Sequence, residues 1–180
     1  MLMNKLLLIF IITLTVSLQS CAQSTYENFT YSYQAKIPSD WNLAGEIKND
    51  TIQNFSIVEW TLPKVISESK ENEIQNSIEI YAWRNSEIKN INELINHEKQ
   101  KWQPFLLKTD ILQEDSEFSR EVITTSKIPS FDHKSKKYFI YKNGICYRIQ
   151  LVCTQDTFDK NLSDFENFYM EFKIVENKKE

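Results

Sequence analysis

Three stretches of the 180-residue chain place residue types at spacings that could do chemistry. His97-Glu98-Lys99-Gln100-Lys101 opens like a zinc-site helix, where two histidines four residues apart share one helical face. Position 101 is lysine, so the second imidazole is missing and His97 reads as a surface residue. Asp132-His133 could orient a base toward Ser130 or Ser135. A catalytic triad demands placement that sequence neighbours rarely achieve, and no glycine flanks either serine, so these read as loop residues. Glu114, Asp115 and Glu117 form an acidic patch without the glycine and bidentate glutamate of a calcium loop; they read as a solvated turn. No catalytic residue, no metal site and no cofactor is expected.

Binding chemistry is better represented. The chain has four tryptophans, Trp41, Trp60, Trp83 and Trp102. Trp41 and Trp102 are expected in the core. Trp83 shares a strand face with Glu79 and Tyr81, opposite Ile78, Ile80 and Ala82, while Trp60 beside Glu59 can point either way. Trp60, Tyr81 and Trp83 are therefore the candidate ligand-binding residues, as an exposed aromatic group beside a sheet. Cys146 and Cys153 lie seven residues apart on one expected strand, facing opposite ways and roughly 23 Å apart. A disulfide needs Cα atoms within about 7 Å, so both read as small buried hydrophobes. Neither His97 nor His133 stands at ligand spacing from a cysteine.

The third cysteine, Cys21, belongs to a different chemistry. Lys5 gives a short positive start, and Leu6 to Val16 is an apolar run broken only by Thr13 and Thr15. That run is about half of the ~20 residues a membrane-spanning helix needs. It ends at Leu18-Gln19-Ser20-Cys21, which resembles the bacterial lipobox: a branched residue, two small residues, then the cysteine that receives lipid. Gln19 is larger than the usual residue at its place. The reading is a signal peptide over 1–20, lipidation at Cys21 and a polar tether over 21–28, since several acyl chains hold a domain at a membrane better than one. By resemblance to lipoprotein sorting rules, Ala22 in place of aspartate points to the outer membrane, and with no acidic run after Cys21 to cue surface display the periplasmic face is expected.

Composition excludes other classes. Hydrophobic residues make 41% and aromatics 13% of the chain, enough for a packed core. Only Gly45 and Gly144 are glycines, too few for a phosphate-cradling loop. The net charge is −4 and the longest basic cluster is Lys134–Lys137. A nucleic-acid binder needs a basic stripe, so no nucleic-acid partner is expected.

The elements that must position these residues centre on the last third of the chain. Tyr138–Lys142 and Ile145–Cys153 read as two strands joined at Asn143-Gly144, whose residue types suit a tight type I′ turn. Ile145, Tyr147, Ile149, Leu151 and Cys153 share one face of a half-buried strand, with Arg148 and Gln150 on the other. Phe158, Leu162, Phe165, Phe168, Tyr169 and Phe172 then recur at helical spacing. Upstream, Phe29–Ile37 alternates, with Phe29, Tyr31, Tyr33, Ala35 and Ile37 inward, and Pro38 ends it. Gln53–Leu62, Ser77–Trp83 and Phe118–Lys127 read as further strands, Ser67–Asn76 as a loop and Phe105–Leu112 as ambiguous. Ile91–Trp102 reads as a helix stopped by Pro104. Strands joined by hairpins and interrupted by two helices predict a single α+β domain over 29–180, a mostly antiparallel central sheet with helices packed on it.

Four of these features together resemble the PsbP/Mog1-like family. They are the strand running into Ile37-Pro38-Ser39-Asp40-Trp41, the Ile91–Trp102 helix after the Ile78–Trp83 strand, the aromatic hairpin at Tyr138–Cys153, and the amphipathic helix ending in Phe172-Lys173-Ile174. Glu171 stands where the family usually has serine. The resemblance implies a central antiparallel sheet sandwiched by helices and a mostly non-enzymatic role. The expected function is a non-catalytic, membrane-anchored envelope lipoprotein that binds another protein in assembly or maintenance. The alternative is a carrier or sensor of an apolar small molecule or lipid, held between sheet and helix near Tyr81, Trp83 and the aromatic helix.

Overall fold

The computed structural model describes residues 23–102, 106–116, 119–128 and 131–175. The expected leader 1–20 and Cys21 lie outside them. The strands are β1 (Ser24–Asn28), β2 (Tyr33–Ile37), β3 (Asn42–Asp50), β4 (Phe55–Thr61), β5 (Val65–Ser67), β6 (Asn72–Ile74), β7 (Ser77–Trp83), β8 (Leu106–Ser116), β9 (Ser119–Ile128), β10 (Phe131–Lys142), β11 (Ile145–Thr154) and β12 (Lys173–Ile174). Among the described residues two helices join them, α1 (Ile91–Trp102) and α2 (Phe158–Glu171).

The order β3-β4-β7-β11-β10-β9-β8 builds a seven-stranded sheet in which every neighbour is antiparallel. Its keystone is the β10–β11 hairpin. Asn143 and Gly144 both have positive φ, 54° and 74°, as the expected turn requires. β11 lies at the centre, paired with β10 and β7. It is buried on both faces rather than half-buried, because each face carries a helix layer.

On one face α2 packs Phe158, Phe165 and Phe168 against Ile78, Ile80, Tyr138, Tyr147, Ile149 and Leu151. A small sheet in the order β1-β2-β12 completes this layer and brings in Tyr31, Tyr33, Ala35 and Ile37. The turn after Pro38 drops Trp41 onto Phe168, with ring centroids 5.2 Å apart. Each large side chain buried here contributes roughly 1.5–3 kcal/mol. On the other face α1 lays Ile91, Leu94 and Ile95 over Phe139 and Cys146. Asn90 caps α1 by accepting from the Glu93 N–H at 3.0 Å, and Glu93 reaches back to the Asn90 amide and the Lys89 N–H. The two remaining cysteines sit in separate cores, Cys146 under α1 and Cys153 under α2.

Several expectations change. Ser24–Asn28, expected within a tether over 21–28, forms β1 on β2, so the folded part includes residues before 29. Phe29 lies in the turn between them and is 77% exposed, not inward. β3 was not anticipated: almost every side chain on it is exposed, so it carries no burial period. The polar stretch Ser67–Asn76 contains the end of β5 and all of β6, which pair as a small hairpin, and Leu106–Leu112 of the ambiguous stretch lies in the edge strand β8, while Phe105 is outside the described residues.

Candidate functional site

Beside β7 and α1 the surface opens into a cleft of about 450 Å³. Tyr81 and Trp83 form its wall, Gln53 and Asn54 one rim, Arg84, Asn85 and Ser86 the next, and His97, Glu98 and Lys101 project from α1. The rim loops are fixed from the backbone outward. Asn54 adopts φ 55° and its carbonyl accepts from the Arg84 N–H at 3.0 Å. The Arg84 guanidinium donates to the Thr30 carbonyl at 2.9 Å and lies over the Tyr31 ring at 4.9 Å.

The wall is an aromatic stack. Tyr81 and Trp83 have centroids 4.9 Å apart, and Phe55 continues the row 5.4 Å from Tyr81. Beneath them lies a buried ion cluster. Arg148 donates to Glu98 at 2.9 Å and to Glu79 at 2.8 Å, with its guanidinium 5.1 Å from the Tyr81 centroid. Burial works against the Arg148 charge, and the two carboxylates outweigh it, so its pKa rises. Lys137, two positions from Phe139 on the same face, is pushed down to about 8, first by burial and then by Arg148 nearby. Burial, followed by the Glu98 charge, pushes the Cys146 thiol up to about 12, which leaves it inert. Tyr81 is also raised, chiefly by burial.

Glu98 is engaged by Arg148, and the His97 Nδ1 is 3.7 Å from the Glu98 carboxylate, too far for a hydrogen bond. The cleft offers an aromatic wall, amides and cations, with no nucleophile paired to a base. Among the described residues no cluster of His, Cys, Asp or Glu could hold a metal ion.

The three candidate binding residues are not brought together. Tyr81 and Trp83 share the cleft, on the face expected for them. Trp60 is opposite Ile78 in the register and lies on the other face, 3% exposed, its ring near Tyr26 and Phe168. The aromatic helix α2 is also on that other face, so it does not line a cavity with Tyr81 and Trp83. Ser135 is buried and bonded to Thr124. The side chains of Trp102, Glu114, Asp115 and Asp132, and all of Glu117 and Ser130, lie outside what is described. Sequence reasoning missed Glu79, Glu98 and Arg148 as a set. A signal existed: Ile91, Leu94, Ile95 and Glu98 follow one helical stripe, which places a carboxylate on the buried side of α1.

An antiparallel sheet with one helix and a small sheet on one face, and a second helix on the other, defines an α+β sandwich. Among solved structures it is similar to the cyanobacterial PsbP protein CyanoP from Synechocystis sp. PCC 6803, with TM-score 0.56, 11% identity, and 88% of this chain and 95% of that one covered. It is also similar to the Saccharomyces cerevisiae Ran-binding protein Mog1p, with TM-score 0.55, 9% identity and coverage of 87% and 97%. A Pseudomonas aeruginosa protein of unknown function, PA94, matches with TM-score 0.53, 12% identity and coverage of 87% and 99%. Neither a protein-family model nor a curated protein sequence matches the chain. The fold is therefore PsbP/Mog1-like.

Proposed function

We propose that the protein is a non-catalytic accessory module of the bacterial envelope, anchored through lipid on Cys21, and that it binds a protein partner at the Tyr81–Trp83 cleft. The observation that carries the binding reading is the cleft itself: an aromatic wall held rigid by the buried Arg148–Glu79–Glu98 cluster, with hydrogen-bonding side chains around it and no acid–base pair aimed into it. Rigid aromatics backed by a locked second layer suit recognition, because little side-chain entropy is lost on binding. The Ran-binding role of Mog1p on the same fold supports a protein as the occupant.

The address rests on Leu18-Gln19-Ser20-Cys21 and on Ala22 after it, which favour the periplasmic face of the outer membrane. Cys21→Ser is expected to abolish acylation and move the protein from the membrane to the soluble fraction; unchanged fractionation would refute the anchor. For the cleft, photo-crosslinking residues at Gln53 and Asn85 in the intact envelope are expected to capture one discrete partner, and Tyr81→Ala to abolish capture while the variant stays folded. Capture that survives Tyr81→Ala sinks the cleft as the binding site. Native mass spectrometry on gently extracted protein decides the alternative: a stoichiometric apolar mass beyond the covalent lipid would promote a carrier.

A further inference from the structure

A second cleft, of about 540 Å³, lies on the opposite face of the central sheet, under the C-terminal half of α2. Trp41, Phe168 and Pro38 form its apolar floor, and Met170 stands at its edge, 70% exposed. Gln23 also lines it, and Gln23 is two residues from Cys21. A chain of two residues spans at most about 7 Å. The Cys21 Cα, from which any attached lipid would extend, is therefore within that distance of the Gln23 Cα, beside this cleft.

The rest of the geometry gives a direction. β1 runs away from Gln23, and its far end meets the turn at Thr30, whose carbonyl is held by Arg84 of the Tyr81–Trp83 cleft. Five strand residues separate the two ends by about 16 Å. The two clefts thus open on opposite faces of the large sheet and at opposite ends of β1. The rim of the Gln23 cleft also has a charge pattern. Lys36 and Glu171 neutralise one another at 2.9 Å, while Asp40 and Asp164 stand exposed. Two carboxylates beside an exposed methionine fit headgroups that carry an ammonium, and repel purely anionic ones.

We propose that the Gln23–Trp41–Met170 cleft is the membrane-facing surface, seated on a lipid layer bearing ammonium headgroups, so that the Tyr81–Trp83 cleft is presented away from the bilayer. This rests on the acylation of Cys21 proposed above. The short link leaves little room for the domain to turn over, and the contact orients the partner cleft toward the aqueous compartment.

The test uses the full chain, extracted with its own lipid and reconstituted into vesicles of phosphatidylethanolamine and phosphatidylcholine containing a headgroup-nitroxide lipid. Met170→Cys and Gln53→Cys each receive a thiol-reactive fluorophore; the native Cys146 and Cys153 are buried and stay unlabelled. Both substituted positions are exposed, so neither change threatens the fold. Intact mass is measured on the same samples. Quenching several-fold stronger at position 170 than at 53, on protein carrying the acyl mass, is the expected result. Equal quenching, or stronger quenching at 53, on acylated protein overturns the orientation and leaves the anchor standing. Protein without acyl mass overturns the anchor, and the orientation with it.

Discussion

The two faces of the central sheet differ in how much of their packing is apolar, although they share every strand. Under α2 the layer is built mostly of rings: Phe165 is fully buried against Tyr138, and Tyr33, Tyr147 and Phe172 meet at ring distances of 5.5–6.2 Å, with a buried Lys136 held by Glu121 and Glu166 at its margin. Under α1 a smaller cluster of Ile88, Ile91, Leu94, Phe139 and Cys146 passes directly into buried charge, with Glu98 4% and Arg148 6% exposed. Burying an ion pair costs desolvation that the pairing barely offsets. The α2 face thus carries the larger share of the apolar burial, and the α1 face sets a more deeply buried ion cluster directly beneath a cleft.

The sharpest way to break this contrast is to remove one group from each face. Phe165→Ala is expected to destabilise by about 3–5 kcal/mol, since it deletes a fully buried ring and leaves a cavity. Arg148→Met is expected to cost a similar ~3–5 kcal/mol, by stranding Glu79 and Glu98 as uncompensated buried carboxylates. The repair separates the faces. Arg148→Met combined with Glu79→Leu and Glu98→Leu is expected to recover much of that loss, stopping short of the parent because Lys137 loses both carboxylates that favour its charge, measured by urea unfolding. If the triple variant stays as unstable as Arg148→Met, the cluster supplies net stability and the contrast is wrong.

The α2 face was largely legible in the sequence, because apolar burial leaves a period. Ile145, Tyr147, Ile149, Leu151 and Cys153 alternate and Phe158, Leu162, Phe165 and Phe168 recur at helical spacing, and they form one core. The α1 face was harder to read, since its defining residues are polar yet buried. Arg148 looks solvent-facing until a helix is known to cover it. Trp60 illustrates register: only its pairing with Ile78 tells which face it joins, and this separates it from Tyr81 and Trp83. β3 left no trace, because a strand exposed on both sides has no alternation to read. The resemblance to the PsbP/Mog1-like family named the fold correctly, and 9–12% identity explains why it could name no site.

A smaller effect comes from pH. Lys137 titrates near 8 in the folded protein against an ordinary 10.5. Below pH 8 it is charged in both states and the native state bears its desolvation. Between 8 and 10.5 the unfolded chain binds more protons, so this residue's contribution to stability rises with pH. Lys137→Met is therefore expected to stabilise near pH 7, by on the order of 1–3 kcal/mol, with the advantage shrinking as pH rises past 8. The comparison must be between variant and parent at each pH, because Cys146 and Cys153, both raised to about 12, drive overall stability the opposite way above pH 9. An advantage that stays constant from pH 7 to 10 would show that Lys137 remains charged in the folded protein throughout that range.

The smallest expected effect tests what the faces share. Gly144 has φ +74° and open space where a Cβ would sit, so Gly144→Ala meets no clash and carries only the left-handed backbone penalty of about 1–2 kcal/mol. The turn joins β10 to β11, and those strands carry residues of both cores: Tyr138, Ile149 and Leu151 toward α2, Phe139 and Cys146 toward α1. Loosening the turn therefore weakens both layers together. Thermal unfolding of Gly144→Ala, followed separately by tryptophan fluorescence and by far-ultraviolet circular dichroism, is expected to show one transition, shifted down by a few degrees in both signals. Two separated transitions would mean that the α1 layer can open while the α2 core stays folded. The cleft would then be a locally unstable unit, and the rigidity argued for Tyr81 and Trp83 would have to be abandoned.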